Sequence, residues 1–291
     1  MKAGRRLRPG IAAIHLFLAS TGLFLALPIV YLFNHAFKPL NELYLYPPTF
    51  FVRQPTLRNF EMLFFNLSTN LVPFSRYFFN SVAITAAVGF LVLLVSAMAA
   101  FILSKFRFHL KGFIMAMIML SLMFAAETVG IPRYLIISGL GLTDTYLAYV
   151  LPFLASPVIV FLLKQFMDQV PAELLEAAVI DGAPITAVFS RIMVPLVAPA
   201  IATSAILTFQ AVWGDVSVSA LYVHDESMKT LAYYVSTLSL AAIGQGTSAV
   251  QNIAGQGMLA AGGLLLFVPN LIMFLFFQRY VIETMVNSGI K

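Results

Sequence analysis

An all-α integral membrane fold with six crossings is what the sequence predicts, and three observations carry the prediction. Of 291 residues, 60% are hydrophobic and only 10% charged, against about 25% charged in a soluble globular domain. The mean hydropathy is +0.92. The apolar residues also gather into six continuous windows, most near the roughly 20 residues needed to cross about 30 Å of hydrocarbon. Within such a window the backbone must satisfy itself, which a helix does alone. Continuous rather than alternating apolar runs exclude a transmembrane β-barrel.

The windows are residues 11–33, 78–103, 113–126, 145–163, 194–213 and 259–277. The first follows MKAGRRLRPG. It exceeds the roughly 7–15 residues of a signal-peptide core, so it reads as an uncleaved helix. The third is short in its apolar part and spans only by continuing past Glu127. Residues 35–76, with YLYPPTFF, and 214–257 are the long segments placed outside.

With six crossings, Lys2, Arg5, Arg6, Arg8, Lys105, Arg107, Lys111, Lys164, Arg191, Arg279 and Lys291 share one side. Lys38, Arg53, Arg58, Arg76, Arg133 and Lys229 share the other. The cationic excess assigns the first side, with both termini, to the cytoplasm. The net charge of +5 therefore reflects span ends and not a nucleic-acid surface.

Cysteine is absent, which excludes disulfides and thiolate metal sites. His15, His35, His109 and His224 are scattered without metal-ligand spacing, and no catalytic triad can be assembled. No G-x-x-x-x-G-K-[ST] phosphate loop occurs, so the chain cannot cradle ATP in that manner. Gly255-Gln256-Gly257 imitates a dinucleotide fingerprint but leads into a span, where Gly257 and Ala261 suit close helix packing.

One polar island stands between apolar spans: residues 171–199, PAELLEAAVIDGAPITAVFSRIMVPLVAP. Pro171 suits a helix start, and Glu173 places negative charge in the first turn, where the helix dipole favours it. Gly182 and the Ala183-Pro184 pair interrupt the helix, because a residue before proline avoids the α region. Leu174, Ala177 and Ala178 fall on one face at helical spacing. Physics alone leaves two readings open, a solvated connector or a docking surface.

Glu176-Ala177-Ala178, Asp181-Gly182-Ala183, Phe189, Ile192, Pro195-Leu196 and Pro199 reproduce EAA-x-x-DGA-x5-F-x-x-I-x-x-PL-x-x-P. This resembles the EAA loop of binding-protein-dependent ABC importer permeases. FKPLNELYLYPP at 37–48, TLRNF at 56–60, RYFFNS at 76–81, AAFILSKFRF at 99–108, IPRYLIISGLGLTDTYLAYVLP at 131–152 and FQRY at 277–280 look like the carbohydrate branch. They are similar to its smaller maltose-type permease, and the likeness covers nearly the whole chain.

The resemblance implies a single type I ABC importer transmembrane domain over residues 1–291 in a bacterial inner membrane. It implies a second, homologous permease, two ATPase subunits that bind ATP and magnesium, an external solute-binding protein and a carbohydrate substrate. It also implies that Glu173, Glu176, Ala177, Ala178, Asp181, Gly182 and Ala183 form a cytoplasmic coupling helix on an ATPase. The chain itself is expected to be no enzyme and to hold no cofactor. Two departures from the family pattern are a C-terminus, VIETMVNSGIK, without a long small-residue tail, and Gly214-Asp215 after the fifth-span tryptophan.

Polar groups inside spans are costly and often line a pathway. Ser204, Thr208, Gln210 and Trp213 suit a sugar, with an aromatic face and amide or hydroxyl donors; the alternative is helix–helix bonding with an interfacial tryptophan. Asn80 and Ser81 read as caps of the second span, and Glu127 as a residue at the outer surface.

Overall fold

The computed structural model describes residues 9–43, 45–65, 72–125, 128–243 and 249–288, and every regular element among them is helical. Pro9–Ala36, Phe74–Lys105 and Ala249–Ser288 are long and continuous. Each contains a stretch long and apolar enough to cross a membrane. Two further candidates are bent pairs, Leu147–Leu154 with Pro157–Asp168 at 46° and Ile185–Leu196 with Ala198–Trp213 at 81°.

By length and composition the described residues thus hold three spans, or up to five if each bent pair is one, where the windows suggested six. The 113–126 window accounts for the difference. Its helix, Lys111–Ser121, has 11 residues and reaches only about 16 Å, roughly half the hydrocarbon thickness. Glu127 lies outside the described residues.

Both bends follow from proline. Ser156, before Pro157, is extended at φ −101°, ψ 97°, as the proline ring requires of its predecessor. Val197 leaves the helix at φ −101°, ψ 17°. Pro199, two residues on, has no N–H to continue the ladder from the preceding helix. A π-helical turn at Val188–Met193 widens the helix just before this elbow. The 194–213 window is therefore broken near its start.

Packing divides the chain into two compact units, Met1–Asn70 with Thr237–Leu265 and Leu71–Ser236 with Leu266–Lys291. In the first, Asn59 is buried and its amide donates to the carbonyls of Ala36 (2.9 Å) and Lys38 (2.8 Å), capping the Pro9–Ala36 helix. The buried Glu42 carboxylate accepts the N–H groups of Arg53 (3.0 Å) and Gln54 (2.8 Å). Lys38 donates its ammonium to the Thr49 carbonyl. The loop over residues 37–56 is thus a hydrogen-bonded plug. Gly257 approaches so closely that a Cβ there would lie 2.6 Å from Asn59 Oδ1.

The second unit holds the larger core, including Val88, Val92, Phe101, Leu163, Met167, Met193 and Ala200. At the opposite end of Phe74–Lys105 from Lys105, polar side chains knit the Glu226–Met228 turn to neighbouring helices. Asn80 is buried, donates to the carbonyls of Ser227 (2.8 Å) and Lys229 (3.0 Å), and accepts from the Tyr146 hydroxyl (3.3 Å). Ser81 Oγ accepts the Leu231 N–H at 2.7 Å. The cap assigned to Asn80 and Ser81 is corrected here. The helix begins at Phe74, so both sit beyond its first turn and serve a distant backbone instead.

Nearby, Asp144 occupies the left-handed region at φ 57°. Its Oδ1 accepts the N–H groups of His224 (2.5 Å) and Asp225 (3.1 Å), and Oδ2 lies 3.0 Å from His224 Nδ1. Those backbone donors, His224 first, hold the Asp144 carboxyl below the ordinary carboxylate range.

Two outcomes follow for these packing contacts. Gly257→Ala displaces the Asn59 amide from its carbonyls and destabilises by about 1–3 kcal/mol, the range for stranding buried hydrogen-bonding groups. Thermal unfolding of Gly257→Ala, Asn59→Ala and the pair should be markedly non-additive, because either change alone breaks the cap. A depressed carboxylate pKa stabilises above the ordinary value and loses that contribution as pH falls through the depressed one. Hydrogen exchange at the His224 and Asp225 amides should therefore stay slow at neutral pH and accelerate only in strong acid. Asp144→Ala should make it fast throughout.

Candidate functional site

The island is a helix, a turn and a second helix. Ala172–Ile180 starts after Pro171, whose extended ψ of 140° sets the N-cap, with Glu173 in the first turn. Its end is a Schellman motif: the Gly182 N–H donates to the Val179 carbonyl (3.0 Å) and the Ala183 N–H to Ala178 (3.0 Å). That geometry places Gly182 at φ 81°, a region open to glycine and costing other L-residues about 1–2 kcal/mol. Pro184 is extended at ψ 151° and precedes the helix that begins at Ile185. The D-G-A-P tetrad thus builds the reversal: glycine supplies the left-handed residue and proline ends it.

One narrow edge of this hairpin holds it to the body. Leu175, Ala178, Ala183 and Phe189 are half-buried against the core that contains Phe101, Met167 and Val188. Phe189 and Phe101 rings sit 5.3 Å apart, and the Lys105 ammonium donates to the Val170 carbonyl at 2.6 Å, just before the helix. Ala178 thus turns inward, separating from Leu174 and Ala177, with which spacing had grouped it.

The other faces are open. Glu173, Leu174, Glu176, Ala177, Asp181 and Gly182 are exposed; Val179, Ile180 and Ile185 are 54%, 85% and 54% exposed. Beside them opens a cavity of about 430 Å³ lined by Phe101, Lys105, Phe106, Leu175, Glu176, Val179, Ile180, Ile185 and Val188. Large apolar side chains held outside the spans, with carboxylates around them, are the composition of an interaction surface. Leu175, Val179, Ile180 and Ile185 are not marked by the sequence signature; the one local signal is that Leu175 sits about 100° around the helix from the exposed Leu174.

The pathway candidates do not converge. Ser204 and Thr208 are buried, and their hydroxyls have no protein partner among the described residues. Trp213 is buried, its Nε1 donates to the Leu266 carbonyl (3.1 Å), and its ring stacks on Phe209 at 5.6 Å. Trp213, Phe209 and Phe78 wall an apolar cavity of about 470 Å³ with Thr85 and Pro269. Gln210 lies on the exposed side of the same helix, away from the other three. Among the described residues no cluster of His, Asp and Glu could hold a metal ion.

Gly182→Ala meets no neighbour, since nothing lies within 4 Å of its Cβ position. Its cost is therefore conformational, about 1–2 kcal/mol, with Gly182→Asn milder. Hydrogen exchange at the Gly182 and Ala183 amides measures this: protection should fall in the order glycine, asparagine, alanine.

Comparison with known proteins agrees with this architecture. A profile described as "Binding-protein-dependent transport system inner membrane component" matches residues 19–282. An arabinooligosaccharide transport permease, AraQ of Halalkalibacterium halodurans, is 31% identical over 91% of this chain and 90% of its own length. The sn-glycerol-3-phosphate permease UgpE of Escherichia coli is 29% identical over 90% of each. A chain of a bacterial ABC transporter that imports alginate superposes with a TM-score of 0.79 at 19% identity, covering 97% of this chain and 99% of that one. That likeness shows the fold alone. With the island's geometry and a profile spanning most of its length, the chain belongs to the inner-membrane permease family of binding-protein-dependent transport systems.

Proposed function

We propose that this chain is one half of the translocation pathway of an ATP-driven importer for an oligosaccharide or related carbohydrate. The observation that carries the powering part is the exposed apolar face of Ala172–Ile180, with Leu174, Val179, Ile180 and neighbouring Ile185 beside Glu173, Glu176 and Asp181. Such a face needs a partner groove, and the absence of a phosphate loop means that ATP and magnesium belong on that partner. The face docks on one of two ATPase subunits. A second, homologous permease completes the membrane core, and an external binding protein delivers substrate. With six crossings, the cationic excess supports a docking face and both termini in the cytoplasm.

Because the hairpin is joined to the core along a narrow edge and followed by an 81° elbow, a push on it tilts the Ala198–Trp213 helix. Alternating access follows if the ATP-bound dimer interacts differently with the two permease conformations. The carbohydrate assignment rests on the relatives. A phosphate-bearing solute, which UgpE's description names, would want a cation within the cavity, and residues 77–104 and 194–213 contain none except at their margins. On this chain Gln210 is the pathway candidate still free to meet a solute, whereas Trp213 anchors its helix.

In reconstituted vesicles with all subunits, Glu176→Lys and Gly182→Pro should leave insertion intact and lower uptake per ATP by about fivefold or more, the lower range of a coupling free energy. Full substrate-dependent uptake in both would sink the coupling role. A panel of sugars and glycerol phosphate, read as thermal shifts of the cognate binding protein, decides the substrate class separately.

A further inference from the structure

Beside the coupling face, on the membrane side, lies a second cavity of about 500 Å³, lined by Met98, Ile102, Phe106, Arg107, Phe108 and Phe189 among others. Its walls are partly open: Met98, Ile102, Phe106 and Phe108 are 48%, 47%, 37% and 38% exposed. No charged residue occurs between Arg76 and Lys105. The Phe74–Lys105 helix therefore leaves the hydrocarbon near its end, and Met98 lies about 10 Å inside Lys105 at 1.5 Å per residue. The groove accordingly runs from membrane depth at Met98 to the aqueous boundary at Arg107.

Charge is arranged at the wet end only. Lys105 is occupied by the Val170 carbonyl and lies within electrostatic reach of Asp168 and Glu173. Arg107 has no hydrogen bond or ion pair among the described residues. Lys111 is not part of the lining but donates to the Ser104 carbonyl and to that of the lining residue Phe106, both at 3.3 Å, and has no acidic partner among the described residues. Arg107 in the lining and Lys111 beside it thus put two cations without counter-ions among the described residues at one end of an apolar groove. We propose that this groove is a binding site for an anionic phospholipid, with one acyl chain along Met98 and Ile102 and its phosphate on Arg107 and Lys111.

A soluble ATPase cannot reach the Met98 end, which lies at acyl-chain depth, while a lipid reaches both ends at once. Basic pockets of this kind between helices favour anionic head groups, each cation near the surface contributing about fivefold in affinity. Arg107 suits the role because its planar fork binds phosphate through two hydrogen bonds, which a lysine cannot reproduce.

The full transporter, reconstituted in nanodiscs of phosphatidylglycerol and phosphatidylcholine, then extracted and examined by native mass spectrometry, tests this. The wild type should retain phosphatidylglycerol in preference to phosphatidylcholine. Arg107→Gln and Lys111→Gln should each lower that preference by about fivefold. Ile102→Trp, which fills the groove, should remove the bound lipid with its charge intact. Equal retention of both lipids by the wild type, or unchanged preference in Arg107→Gln, overturns the proposal. A photo-crosslinker at position 102 provides a readout independent of variant folding. Capture of phosphatidylglycerol supports the site, and capture of a second permease or an ATPase subunit refutes it.

Discussion

Within hydrocarbon a polypeptide has to satisfy its own N–H and C=O groups, and that requirement decides where this chain can bend. Each interruption of a span occurs where proline has already removed a donor: before Pro157, and between Pro195 and Pro199. The sharpest, at 81°, lies directly after the island. Because Val197 at that corner is itself buried in the core, the elbow is packed and does not act as a loose joint. The hairpin is consequently joined to the Ala198–Trp213 helix through a packed corner.

The sequence signature divides into two kinds of position once its geometry is known. Ala178, Gly182, Ala183 and Phe189 shape and anchor the hairpin: two pack on the core, one adopts φ 81°, and one packs its ring at a tilt against Phe101. Pro195 and Pro199 make the elbow. Glu176, Ala177 and Asp181 are exposed, and their side chains make no hydrogen bond or ion pair among the described residues. Substitutions in the first group act through stability and shape. Those in the second leave these packing contacts untouched, so any effect on transport would report the partner contact proposed above.

Periodicity and apolar length made the long helices legible, and the proline and glycine positions made the island's turn legible, because both are local properties. What stayed hidden depends on contacts distant in sequence. Asn80 bonds to carbonyls 147 and 149 residues away, so its N-S pair read as a cap when it is a clamp. The inward turn of Ala178 depends on where Met167 and Val188 lie, which no helical wheel contains. The 113–126 window is a simpler case: composition shows that a segment is apolar, and not how far it stays helical, and its helix ends at Ser121.

Polar residues in the spans carry a related lesson. Asn80 serves the backbone of the Glu226–Met228 turn, Ser81 the Leu231 N–H, Tyr149 the Met228 carbonyl and Trp213 the Leu266 carbonyl beside Pro269. The first three attend to backbone left exposed by a turn or a helix start, where an unmet group in an apolar interior costs several kcal/mol by transfer measures, about 4–8 into a solvent that cannot bond. A polar group at membrane depth therefore marks a pathway only after the backbone around it has been accounted for. By that criterion the Trp213 N–H is committed to the Leu266 carbonyl while its ring still walls a cavity, and Gln210 is exposed with no hydrogen-bond partner among the described residues.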